Sequence, residues 1–284
     1  MIPALQGFGS KGIDEAQPRE YARHVPWTTR MWKDSPRHPA PWWARVFSGA
    51  ILAVLLALLC WSLLAGTSQG WSVFWKYRSV FWQGWMLTVG ISTVALFSSL
   101  FLGILAALAR RSEIIIIRYI STIYIEFVRG MPLLVLILVL FYGMPQITQS
   151  GNRLFFGVLA LSLFSGAYMA EIVRAGIESV GASQRESARA IGLTVFQTYA
   201  HVIFPQALRH TLPALTGQFA SLIKDSSLLS VIGLTEFTFS SQQVFNATYS
   251  TMESFLPLAM GYLILTLPIS FWTKRLEGRL RYET

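Results

Sequence analysis

Four stretches of this 284-residue chain, Val46–Ala65, Trp85–Ala109, Leu154–Ala170 and Ser254–Thr273, contain no Asp, Glu, Lys or Arg. Runs of about 17 to 25 apolar residues are long enough to cross a bilayer as helices. Lipid offers no partner to a free backbone N–H or C=O, so segments of this composition have to close their hydrogen bonds internally. Met131–Pro145 is shorter and also uncharged, and extended back to Tyr119 it makes a fifth span that carries Glu126 and Arg129. A sixth candidate, Gln206–Ile223, holds Arg209, His210 and Pro213 near its start. The expectation is an all-α membrane protein with six spans.

The net charge of +9 would suit a nucleic-acid partner, but the placement of the basic residues argues otherwise. Seven Lys and Arg fall in residues 1–45, three in 110–118, four in 174–209 and four in 274–281. The intervening loops hold three, Lys76, Arg78 and Arg153. That 18-to-3 alternation is the positive-inside pattern for six spans with both termini cytoplasmic. Topology accounts for the charge, and no basic face remains for DNA or RNA. The single Cys60 excludes a disulfide framework. The first apolar run follows some 45 polar residues, too long a lead for a signal peptide, so it reads as a retained anchor. The tail itself is rich in Pro and mixed charge and is expected to be largely disordered, with Trp42 and Trp43 as interfacial anchors.

Between the apolar runs, Gln184–Pro205 is a regular polar loop that a membrane bundle does not need for folding. Ser183 and Glu186 have capping-box spacing and predict a helix start. Ala188, Ala190 and Ile191 continue the helix, and Gly192 stops it through a left-handed residue. Thr194 and Gln197 repeat the capping-box spacing and open a second helix, which Pro205 is expected to end or bend. The product is a short rod at an angle to the next helix. It is either gripped by a cytoplasmic partner or lies at the interface as an ordinary amphipathic helix.

Catalytic patterns are missing from the sequence: the four His show no metal spacing, and there is no Walker A loop or nucleophile elbow. Charges within the spans carry more. Lys224 and Asp225 are adjacent and followed by Ser226 and Ser227. A charge at mid-bilayer costs about 2.5–3.5 kcal/mol, so the pair faces a wet cavity or reaches the interface. Glu171 and Arg174 lie one turn apart and read as a helix-end ion pair. Glu126 and Arg129 repeat that spacing before Gly130 and Pro132, where a broken helix leaves backbone groups for polar partners. Ser99, Gly103 and Ala107, with Ser162 and Gly166, are small enough for helices to approach closely.

On these residues the chain resembles the permease subunit of bacterial type I ABC importers, in the polar amino acid branch. The signature of that class runs E-A-A, three residues, Gly, nine residues, I-x-L-P. Here it reads Glu186-Ser187-Ala188, Gly192, then Val202, Phe204 and Pro205. Residues 126–135 (EFVRGMPLLV), 165–180 (SGAYMAEIVRAGIESV), 204–215 (FPQALRHTLPAL) and 221–233 (SLIKDSSLLSVIG) resemble the amino acid branch in particular. The likeness covers about residues 84–281.

The resemblance implies the type I importer fold, with five core spans and one extra N-terminal span. Residues 1–45 are then a cytoplasmic tail, 46–66 the accessory helix, 67–83 an external linker and 84–281 the importer domain, with a coupling loop at about 178–205. Ser183, Glu186, Ser187, Ala188, Gly192 and Pro205 would engage ATPase subunits, which bind the ATP and Mg; this chain holds no cofactor. The other implied partners are a second permease chain, the same or paralogous, and an external solute-binding protein. A zwitterionic amino acid needs a partner for each charge, which makes Lys224 and Asp225, with Ser226 and Glu171, candidates for the pathway. The implied location is the bacterial cytoplasmic membrane. The alternatives are an importer of another small polar solute such as an opine, a scaffold that recruits a partner through the same loop, and an intramembrane enzyme.

Overall fold

The computed structural model describes residues 70–144 and 151–280, with scattered helical positions between 50 and 61. Residues 1–61 and 62–284 form two units, and the long helices belong to the second. The expected tail and most of the expected first span, including Trp42, Trp43 and Cys60, lie outside the described residues.

The described residues are helical throughout their regular structure. Helix α1, Ser72–Ala109, has 38 residues, about 57 Å of helix. It begins well before Trp85, so residues 72–83, expected as a linker, form its first three turns. Lys76 and Arg78 ended the apolar run without ending the helix, because charged residues are good helix formers. Helix α2 spans Ile115–Gly130 and α3 spans Leu133–Leu138, which continues as a π-turn through Val139–Gly143. Met131 and Pro132 between them are extended, as expected for Pro and the residue before it. The two pieces meet at a bend of 111°.

Helix α4 covers Arg153–Glu178 and is capped by the Asn152 side chain, which accepts from the Phe155 N–H. The short α5 (Ala182–Ala190) and α6 (Val195–Thr198) come next, then a π-turn at Tyr199–Ile203 and α7 (Phe204–Asp225). A 3-10 segment at Ser226–Ile232 leads to α8 (Phe237–Thr248) and α9 (Thr251–Leu280). Among the described residues, α1, α4 and α9 are long and apolar enough to span a membrane, and the bent α2–α3 pair adds a fourth span if taken as one. Helix α7 is long enough but too polar to pass on composition, with Arg209, His210, Lys224 and Asp225 along it. Of the six expected spans, four therefore have a counterpart when the bent pair is taken as one, the Gln206 candidate does not qualify on composition, and most of the first lies outside the described residues.

Helices α1 and α4 form the centre, and small residues let them meet. Ser99, Gly103 and Ala107 on α1 and Ser162 and Gly166 on α4 are all buried, as their spacing predicted. A Cβ on Gly103 would lie 2.7 Å from Met169 Cβ and 3.0 Å from the Gly166 carbonyl oxygen. Without a hydrophobic drive between helices in lipid, such close backbone contact supplies the association energy. The main apolar cluster joins Ile91 and Ala95 of α1, Ile137 of α3, Leu161 of α4, Leu222 of α7 and Leu229 of the 3-10 segment.

Candidate functional site

Helix α5 and its two ends form the site that the sequence singles out. The helix starts two residues earlier than its capping pattern implied, at Ala182 instead of Gln184. Gly181, with ψ of 151°, is the residue before the first turn, and no side chain caps the start. The expected Ser183–Glu186 capping box therefore does not form, and Ser183 sits inside the first turn. The Arg185 guanidinium anchors the rod instead. Its Nη2 donates to the carbonyls of Ile177 at 3.1 Å and Val180 at 3.2 Å, at the end of α4. These acceptors include a C-terminal carbonyl that α4 itself leaves without a partner. Arg185 directly precedes the signature residues, and the sequence carried no signal for its role beyond a basic residue close to a helix end.

The far end of the rod is a Schellman motif. The Leu193 N–H donates to the Ala188 carbonyl at 3.1 Å and the Gly192 N–H to that of Arg189 at 3.0 Å. Gly192 has φ of +81°, as predicted, a conformation that a side chain would disfavour. The second predicted capping box is present in full. Thr194 Oγ1 accepts from the Gln197 N–H at 3.3 Å, and Gln197 Oε1 accepts from the Thr194 N–H at 2.9 Å.

Pro205 does not end the helical run that contains it, so of the two expected outcomes the stop is not met. Helical structure runs from Val195 to Asp225, and Pro205 sits in the first turn of α7 directly after the π-turn. In an α-helix Pro would clash with the carbonyl four residues back and leave it without a donor. The widened turn at Tyr199–Ile203 relieves that conflict.

Ala188 is the buried face of the rod, while Ser183, Glu186, Ser187, Gly192 and Pro205 are exposed. Val180, Ile203 and Ala207 form a small apolar cluster that holds the loop to α7. Arg111 at the end of α1 donates to Tyr199 Oη at 3.0 Å. At the elbow, Ile191, Val195 and Phe196 are 77%, 73% and 79% exposed. The result is a rod of about 13 Å, fixed at both ends and apolar at its tip.

The pathway candidates separate. Lys224 is exposed in the last turn of α7, Asp225 is half-buried, and Ser226 is buried with its Oγ donating to the Ile223 carbonyl at 2.7 Å. Glu171 lies elsewhere. The 3-10 segment after Ser226 packs Leu229 against Gly157 of α4, and Glu171 is 14 residues further along that helix, about 21 Å. There Glu171 pairs with Arg110, with Arg174 at 2.7 Å and with Arg129 at 3.6 Å. Arg110 also reaches Glu126 at 3.2 Å, and Arg174 reaches Glu178 at 2.5 Å. The Glu171–Arg174 pair read from the sequence is present. Glu126 and Arg129 pair with other helices rather than with each other, and the network ties α1, α2 and α4 together.

Two buried acids, Glu236 and Glu253, were not foreseen from the sequence. Glu236 is fully buried and caps α8, accepting from the N–H groups of Thr238 at 2.9 Å and Phe239 at 2.8 Å. Tyr262 Oη donates to it at 3.2 Å, and Thr88 Oγ1 lies at 3.5 Å. Glu236 is the one acid between Ser226 and Met252, a signal that could have marked it. Its partners make it a structural junction of α1, α8 and α9.

This geometry has close relatives. Residues 99–282 match the family described as "Binding-protein-dependent transport system inner membrane component". A probable glutamine ABC transporter permease protein, GlnM of Bacillus subtilis, is 34% identical over 209 residues, 74% of this chain and 97% of that protein. The glutamine transport system permease protein GlnP of Escherichia coli K12 is 34% identical over 213 residues, with the same coverage. The crystal structure of an amino acid ABC transporter with histidines superimposes with a TM-score of 0.68 at 35% identity, covering 72% of this chain and 95% of that one. An inward-facing form of the MetNI methionine ABC transporter shares the fold, with a TM-score of 0.57 at 19% identity. Signature loop, helical architecture and sequence agree: the chain belongs to the family of binding-protein-dependent transport system inner membrane components.

Proposed function

We propose that the chain is the permease subunit of an ATP-driven importer of polar amino acids, and that α5 is its coupling helix. The observation that carries the reading is the fixed rod with its exposed tip. Arg185 and the Schellman elbow hold α5 rigidly, so a force applied to it reaches α4 and α7 instead of being absorbed by loop motion. Fully burying a side chain the size of Ile, Val or Phe is worth about 1.5–3 kcal/mol. Ile191, Val195 and Phe196 therefore offer a partner several kcal/mol of docking energy beside the charges of Glu186 and Arg189. ATPase subunits that close on ATP would shift two such rods, one from each permease chain. A switch of this kind needs contacts that differ between its two states, and a rod seated in a moving groove supplies them.

Members of the family work with ATPase and binding-protein subunits, so the chemistry of ATP belongs to a partner. The names of the relatives point to glutamine, and we take a polar amino acid of that kind as the substrate. Lys224 and Asp225 are the proposed contacts for its carboxylate and ammonium, with Ser226 beside them. The Glu171 cluster is a separate element, a junction between helices.

The test is uptake in proteoliposomes that contain the permease, its ATPase and a glutamine-loaded binding protein. Glu186→Lys and Gly192→Pro are expected to leave the protein inserted while ATP hydrolysis no longer drives uptake. Normal uptake by both variants would remove the coupling role from α5.

A further inference from the structure

A groove of about 840 Å³ runs between α1 and α9, at the end of α1 remote from the coupling loop. Its walls are aromatic and aliphatic, with Trp75, Trp82, Trp85, Phe237, Met260 and Ile264 prominent among them. Apart from the indole N–H groups, its polar side chains are those of Arg78 and Ser79. The volume lies in the range of small-ligand pockets, but the lining lacks the convergent polar groups that would orient a polar solute.

We propose that this groove binds one phospholipid, with its phosphate at Arg78 and an acyl chain along the tryptophans. Depth supports the assignment. The cytoplasm-facing loop is tied to the other end of α1 by Arg111, and Arg78 lies 32 residues before Arg110, about 48 Å along the helix. A bilayer measures about 40–45 Å with its headgroups, so Arg78 stands at headgroup level in the opposite leaflet. Both lining helices run inward from there, from Arg78 to Trp85 on α1 and from Pro257 to Ile264 on α9. The groove thus leads from headgroup depth into hydrocarbon, as a lipid chain does. Tryptophans are at home at that boundary.

Charge points the same way. Arg78 is exposed, and one of its five donors goes to the Trp75 carbonyl at 2.9 Å. That bond ties the guanidinium to another residue of the groove wall, and a phosphate can accept from the remaining N–H groups. Ser79, next in the chain, also lines the groove. Met260 is 52% and Ile264 62% exposed, so the inner wall is open to lipid from the side.

The test uses the full-length protein, purified in detergent, stripped of lipid and titrated with phosphatidylglycerol, with bound lipid counted by native mass spectrometry. One tightly held phospholipid per chain is expected. Arg78→Glu, which removes the phosphate partner, and Met260→Trp, which fills the groove, should each lower its retention at least fivefold. Leu105→Trp, on another exposed face of α1, should not. A photoreactive residue in place of Trp82 should cross-link to lipid in membranes. Equal retention in all three variants, or capture of a polypeptide by the cross-linker, would overturn the assignment.

Discussion

At the scale of single residues, the polar loop around α5 separates what a local pattern can foretell from what it cannot. Gly192 and the Thr194–Gln197 box were legible because every partner lies within five residues. Ser183 and Glu186 had the same spacing, yet the helix begins at Ala182 because Gly181 and Arg185 settle its start. Glu236 depends on Thr88, 148 residues away, and no neighbouring residue announces that contact. Arg185 gives a prediction at this scale. Arg185→Ala leaves two half-buried carbonyls without a donor, at a cost of about 1–3 kcal/mol. Proteolysis between Gln184 and Gln197 should accelerate, and uptake should fall about tenfold while the spans stay folded. Arg185→Lys, which keeps a donor, should recover part of both.

Among elements, the close helix contacts decide stability. Gly176 on α4 faces Thr211 on α7, where an added Cβ would lie 2.0 Å from Thr211 Cγ2. Overpacking of this sort costs about 1–3 kcal/mol. Gly176→Ala should lower the thermal midpoint in detergent by several degrees, and adding Thr211→Ser, which removes that methyl group, should restore part of it, the Ala207 carbonyl oxygen at 3.1 Å remaining. Gly103→Ala has no such remedy, since it meets the Gly166 backbone. The small-residue stripes on α1 and α4 were visible in the sequence because they repeat at helical spacing. The first turns of α1 were not, because hydropathy ends at Lys76 and Arg78 while helix formation does not. The bend between α2 and α3 was foreshadowed by Gly130 and Pro132, although the ion pairs around it join helices distant in sequence.

For the whole molecule, the claim most open to test is sidedness. On a Cys60→Ser background, Ser187→Cys should react with a membrane-impermeant maleimide in inverted vesicles and not in intact cells. Gly151→Cys, in the exposed loop before α4, should show the reverse. Labelling of both from one side would break the topology on which the coupling reading depends. The π-turn at Tyr199–Ile203 joins the rod to the bundle with one residue more than a plain α-turn would hold. Each residue advances a helix by about 100°, so that surplus sets the compass bearing of α5 relative to α7. Excising Ala200 would press the row of carbonyls back toward α register against the Pro205 ring and swing the lever toward a different quarter, aimed away from the socket proposed for it.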